Sequence, residues 1–364
     1  MNKSRRVFNL QHCVIFGIVT VFALALGAVS PLAAAGFSLK GETVSIIIGF
    51  PPGSGDDFGM RQLAPFLEKH LPGNPTVIVV NKPGAGGILA ANSFYKTAKG
   101  DGKTIGMFTG FALKVALKDK SVRFDISKMH LLGIQATNQV TLIRKETGVK
   151  TAADLLKVKE PLIVGTSSKR NAAYAANVSF FDILGVPHKD LTGYRGGGEL
   201  LQAMRTKELT VAPLPWTLYM ARRDSIMKEG IMTAISQRGY LKGDGSVIPE
   251  PALGVPTQHE VIQKYKPEAV GTPEYQAMAF FVGLFAVTRS FWLPPNTDPE
   301  IVNAWRRALT DTYSSSEYKD MVKKQTKMDV IFHNAENGRK LFNNILNSFN
   351  DPTIRKVIGK IMGE

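Results

Sequence analysis

Two glycine-rich turns, each set between an apolar β-like run and the start of a helix, constrain this chain more than any other feature. The first reads Phe50-Pro51-Pro52-Gly53-Ser54-Gly55-Asp56-Asp57 and the second Asn81-Lys82-Pro83-Gly84-Ala85-Gly86-Gly87. A helix start leaves N–H groups unpaired and carries partial positive charge. Glycine lets a ligand approach that backbone closely. Two such turns therefore predict two halves of one anion-binding floor. A third turn of the same kind, Tyr194-Arg195-Gly196-Gly197-Gly198, follows later.

Apolar runs at 44–50, 76–80 and 104–108 predict buried strands, and 57–71 and 86–97 predict helices. The first helix turns Leu63, Phe66, Leu67 and Leu71 inward, with Asp56 or Asp57 placed to cap it. Strand–helix alternation at this spacing implies a parallel sheet. The pattern restarts near residue 140. Strands are expected at 140–143, 162–164, 209–212 (stopped by Pro213 and Pro215) and 231–235. Helices are expected from Thr151, over 172–184, and from the Tyr194 turn through Met204. A Gly/Pro-rich loop covers 243–256, an apolar stretch at 279–287 crosses between domains, and a long helix covers 299–313. The reading is two similar α/β lobes, with the C-terminal helices returning to the first.

At 364 residues the chain is long enough for two domains. Its N-terminus reads as an export signal. Lys3, Arg5 and Arg6 precede an apolar run at 14–29, and Ala33-Ala34-Ala35 offers a cleavage site after Ala35. The alternative is an uncleaved anchor, although the apolar run is short for a membrane span. Ser4-Arg5-Arg6-Val7-Phe8 also fits a twin-arginine signal, so both that route and the general secretory one stay open. Removing the three signal charges from 45 basic residues leaves 42 against 30 acidic ones, a balance that attracts anions. Nucleic acid is not an expected partner: the chain has no aromatic-basic stripe and no zinc-finger spacing.

Catalytic and metal chemistry find little support. Cys13, the only cysteine, lies in the signal, so the mature chain has no thiol. The six histidines are too dispersed for a sequence-local metal pair. The Gly84 turn lacks the third glycine of a dinucleotide fingerprint, since Leu89 stands there. Ser167 and Ser168 lack a Gly-x-Ser-x-Gly elbow and read as ligand hydrogen-bond donors rather than nucleophiles. Lys169, Arg170 and Arg195 are either anion contacts or solvated charges. No catalytic residue, metal or cofactor is expected.

These residues carry a family likeness. Phe50-Pro51-x-x-x-Gly55-x-Asp57-x-x-x-Arg61, Asn81-x-Pro83-Gly84-Ala85-Gly86-Gly87 and Asp101-Gly102-x-Thr104 resemble successive signatures of the tripartite tricarboxylate transporter receptors, also called Bug or TctC receptors. Tyr194-Arg195-Gly196 is similar to their second-lobe turn, and Val255-Pro256-Thr257 and Gly283-Leu284-Phe285-Ala286 to weaker late motifs. The likeness covers about residues 40–345. It implies a type II periplasmic-binding-protein fold with two α/β lobes, a two-strand hinge and an interdomain ligand cleft. The implied division is 1–35 signal peptide, 36–139 plus 285–364 lobe I, and 140–284 lobe II. It implies a non-enzymatic periplasmic receptor that binds a small organic anion, mostly a carboxylate in this family, and delivers it to membrane transporter subunits. The implied contacts are Pro52, Gly53, Ser54, Gly55, Asp57, Gly84, Ala85, Gly86, Gly87 and Thr109 in the first lobe. In the second they are Ser167, Ser168, Tyr194, Gly196, Gly197 and Gly198. Departures from the pattern are Asp56 in place of a small or neutral residue, the stretch 169–174 without its glycine-rich turn and histidine, and Thr210 in place of a strand aspartate. Competing readings are an exported sensory or scaffolding protein, or a hydrolase using Ser167 as nucleophile.

Overall fold

The computed structural model describes residues 36–242 and 246–363; the expected export signal lies outside them. Strand β1, Thr43–Ile48, is buried and hydrogen-bonds in parallel to β2, Thr76–Asn81, and β3, Thr104–Phe108. Between β1 and β2 runs helix α1, Gly55–His70, which buries Met60, Leu63, Ala64 and Leu67 at helical spacing. Its cap is Ser54, whose hydroxyl accepts the Asp57 N–H, and not the expected Asp56 or Asp57. Helix α2, Ile88–Thr97, joins β2 to β3. It begins two residues later than expected because the backbone at 84–87 is left-handed throughout. Helix α3, Phe111–Ala116, and strand β4, His130–Gln135, complete this stretch.

The second sheet begins with β5, Gln139–Arg144. The expected helix from Thr151 is a 3₁₀ segment, Ala152–Lys157, closed by a reciprocal Thr151–Asp154 capping box and stopped by extended Val158. Then come β6, Leu162–Gly165, α4, Ala172–Leu184, β7, His188–Leu191, α5, Gly197–Arg205, β8, Val211–Pro215, α6, Trp216–Glu229, and β9, Met232–Gln237. The sheet order is β7-β6-β8-β5-β9, with β6 parallel to both neighbours and β5 antiparallel to both of its own. Pro213 lies inside β8 and Pro215 is its last residue, so the strand runs past the expected stop at Ala212. That strand pairs with β5 along its length but meets β6 only at Val211. The prolines thus withhold N–H groups that the far edge does not require. Strand β10, Tyr240–Leu241, precedes the Gly/Pro-rich loop and pairs antiparallel with β11, Val247–Ile248, inside it. Helices α7, Gln258–Tyr265, and α8, Pro273–Ala286, follow, and α8 packs its apolar length on α4.

The chain then returns to the first sheet through β12, Arg289–Leu293, which inserts antiparallel between β3 and β4. After α9, Pro299–Ser314, and α10, Ser316–Thr326, strand β13, Phe332–Asn334, closes the order β13-β4-β12-β3-β1-β2. Helices α11, Ala335–Ser348, and α12, Pro352–Met362, end the chain. Helix α11 packs on β4 in the first lobe, whereas α12 packs on α8 and α4 beside the second sheet. The passages between sheets, 136–138 and 287–288, lie side by side. Both the N–H and the hydroxyl of Thr137 donate to the Phe285 carbonyl at 3.3 Å.

Candidate functional site

The five segments singled out by their residues all follow the carboxyl ends of strands β1, β2, β3, β6 and β7. In open α/β sheets that is where ligands sit, because helix starts gather there. In the first lobe the three loops touch. A Cβ added at Gly49 would fall on the Gly87 backbone, and one at Gly87 would lie 3.5 Å from the Thr109 carbonyl and 3.7 Å from the Phe50 ring. In the second lobe the Gly193 N–H donates to the Ser167 carbonyl and the Tyr194 N–H to the Thr166 carbonyl, both at 3.3 Å. Gly197 packs on Leu218, Leu214 and Pro215. The two groups face each other at one place: a Cβ at Gly55 would stand 3.9 Å from Thr217 Oγ1 and 3.8 Å from the Arg289 guanidinium. Neither Thr217 nor Arg289 carries a local motif, and only the tertiary fold identifies them.

Asp57 is the hub of the first loop. Its carboxylate accepts the Gly53 N–H at 2.9 Å, Arg61 Nε at 2.9 Å and Asn81 Nδ2 at 3.0 Å. Asn81 Nδ2 also reaches the Phe50 carbonyl at 2.9 Å. Burial pushes the Asp57 carboxyl up, but the hydrogen bonds from Arg61, Gly53 and Asn81 outweigh it and hold the group below the usual carboxylate range. The signature residues Asp57, Arg61 and Asn81 therefore bind one another. Pro52, Gly53 and Gly55 are exposed at the tip and Ser54 is half-buried. Asp56 is not a free charge at the opening: it is 8% exposed and pairs with Arg289 Nε at 2.9 Å.

The helix starts divide into two kinds. Ser54 occupies the start of α1, and Asn171 Oδ1 occupies that of α4 by accepting the N–H groups of Ala173 and Tyr174 at 2.8 and 3.3 Å. The starts of α2 and α5 carry no side-chain cap, since Gly87 and Gly196 have no side chain to offer. The backbone at Gly84, Ala85, Gly86 and Gly87 has φ of 147°, 49°, 65° and 92°, a run that glycine tolerates and Ala85 resists. Successive N–H groups in such turns form anion-binding concavities. Lys114 Nζ braces the loop through the Ala85 carbonyl at 3.3 Å.

The remaining second-lobe residues have local partners. Ser167 and Ser168 are exposed, and Ser167 Oγ accepts Asn171 Nδ2 at 3.1 Å, an amide and not a base. The Tyr194 hydroxyl donates to Glu208 at 2.8 Å; burial and that carboxylate push it up to about 12. Arg195 forms an i,i+4 pair with Glu199 at 2.6 Å, and Lys169 stands 3.8 Å from Asp190. Thr210 Oγ1 accepts the Ile163 N–H at 2.6 Å and knits β8 to β6. Trp216, at the head of α6, is buried. Among the described residues no group of three or more His, Cys, Asp or Glu is placed to hold a metal.

Two α/β lobes, with loops collected at the carboxyl ends of their strands, are the architecture of type II periplasmic binding proteins. Solved structures agree. An R. palustris protein solved with adipate has TM-score 0.62 at 16% identity, covering 88% of this chain and 97% of that one. The periplasmic binding protein BugD has TM-score 0.60 at 18% identity with the same coverage. MatC from Rhodopseudomonas palustris with bound malate has TM-score 0.57 at 18% identity, covering 88% of this chain and 98% of that one. A search of curated proteins gave no match. The family model described as tripartite tricarboxylate transporter family receptor matches residues 60–236. Over that stretch the chain matches the receptor family, whose members are solute-binding proteins.

Proposed function

We propose that this protein is an exported periplasmic receptor that captures a small organic carboxylate without chemical change and delivers it to a tripartite tricarboxylate-type membrane transporter. The observation that carries this reading is the pair of uncapped helix starts, α2 and α5, on facing lobes. Their N–H groups suit a carboxylate, with each charge-assisted bond contributing about 1.5–3 kcal/mol. The first-lobe contacts are Pro52, Gly53, Ser54, Gly55, Gly84, Ala85, Gly86, Gly87 and Thr109, with Asp57 holding the loop from behind. The second-lobe contacts are Ser167, Ser168, Gly196, Gly197 and Gly198, with Tyr194 fixing the turn. The family match, and fold neighbours solved with malate and adipate, support the ligand class. The division at residues 36–139 plus 285–364 against 140–284 is the working lobe assignment, with α12 resting on the second lobe. No helix among the described residues is long and apolar enough to cross a membrane. A hydrolase reading has no base to work with, since the partner of Ser167 is Asn171. Calorimetric titration against mono-, di- and tricarboxylates tests the reading. Saturable binding of at least one acid, lost in its amide, is expected. No heat from any acid on the folded protein contradicts it.

A further inference from the structure

A second feature, independent of the carboxylate reading, lies inside the second lobe. Arg238 follows β9 and is 1% exposed. Its Nη1 donates to Gln139 Oε1, and its Nη2 to the Ala173 carbonyl at 2.6 Å and Asn177 Oδ1 at 3.3 Å. Its guanidinium lies 4.7 Å from the centre of the Phe285 ring. None of these partners is charged, and burial alone pushes its pKa down to about 9. An unpaired buried charge is among the costliest things a fold can hold.

The neighbours sharpen the point. Asn177 Oδ1 also accepts Thr141 Oγ1 at 2.9 Å and Gln258 Nε2 at 2.8 Å. Arginine can only donate, so the amide of Asn177 is fixed with Oδ1 towards Arg238, which leaves Nδ2 without an acceptor. Ser236 stands opposite Thr141 across the β5–β9 ladder. Asn177, Ser236 and Gln258 are all 0% exposed. In this one cluster Arg238 Nε, Asn177 Nδ2, Ser236 Oγ and Gln258 Oε1 are buried without a hydrogen-bond partner. Three of those four atoms can donate, and the only formal charge is positive. A cation is repelled there, and a dianion leaves net negative charge buried.

We propose that a monovalent inorganic anion of chloride size binds inside the second lobe against Arg238 Nε, Asn177 Nδ2 and Ser236 Oγ. It neutralises the guanidinium beside the passage between lobes and stabilises the fold without occupying the cleft. The test is thermal unfolding of the purified full chain in chloride and in gluconate at equal ionic strength. The Tm rises with chloride concentration, by roughly 5 °C at about a hundredfold excess over Kd. Arg238→Met removes that dependence, and Ser236→Ala weakens it should the methionine variant not fold. A bromide-soaked crystal of the unaltered protein gives an anomalous peak in contact with Arg238 Nε. Equal Tm in both salts, or a bromide peak only at the α2 and α5 starts or on the surface, overturns the proposal.

Discussion

Replacing Asp57 by alanine isolates the loop that the first signature builds. The carboxylate holds two donors that have little other recourse, the Gly53 N–H and Asn81 Nδ2, and one that does, since the Arg61 side chain is 52% exposed. Arginine recovers water, so its share is small. Each of these partly buried donors left without an acceptor costs up to about 1–3 kcal/mol. Asn81 keeps its bond to the Phe50 carbonyl, which lowers its share. The expected loss is about 2–4 kcal/mol, or roughly 3–6 °C in Tm. Calorimetric unfolding reads the first effect. Titration with the carboxylate that binds the unaltered protein reads the second, a roughly tenfold or greater loss of affinity as the Gly53–Ser54 tip loses its anchor. The sign of the pH dependence follows from the same contacts. The folded pKa lies below the ordinary 3.8, so the stabilisation is complete above 3.8 and disappears as pH falls through the folded value. The stability gap between the unaltered protein and Asp57→Ala is therefore constant from neutral pH to about 4 and narrows below it. An alanine variant with unchanged Tm and unchanged affinity refutes the reasoning.

Three further outcomes follow from the same geometry. Asp56→Asn strands Arg289, 7% exposed, as an unpaired buried cation and costs about 3–5 kcal/mol, whereas Asp56→Leu with Arg289→Met recovers most of that in chemical unfolding. Gly49→Ala drives a methyl into the Gly87 backbone, which cannot yield like a flexible side chain; a loss of about 1–3 kcal/mol and weaker ligand binding are expected in the same assays. Ser167→Ala removes one neutral hydroxyl, so affinity in the same titration falls by a factor of about 2–12.

Much of the fold is legible because its signals are local. Strand β3 and helix α4 coincide with the expected 104–108 and 172–184. The glycine turns mark helix starts because three of the four positive-φ positions at 84–87 are glycine, the residue that adopts that backbone without strain. What escapes is long-range. Strand β12 carries Arg289 and Trp292, and although Pro294-Pro295-Asn296 marks its end, its place between β3 and β4 depends on partners more than 150 residues earlier in the chain. Strand β13 has three residues and no periodicity to detect. The prolines of β8 mislead because their tolerance depends on which edge is paired, which sequence does not encode locally. At the site, the glycines and serines are readable as residue types. That Asp57 turns inward on Arg61 and Asn81, and that Asp56 is neutralised by Arg289, follow only from contacts across 24 and 233 positions.

A crystal structure of the protein with its tightest-binding carboxylate examines the account at its root. One carboxylate group should lie about 2.7–2.9 Å from main-chain nitrogens at the head of α2, with α5 closing on the same molecule from the opposite lobe. A ligand seated elsewhere, or held only by side-chain cations while those nitrogens face solvent, contradicts it.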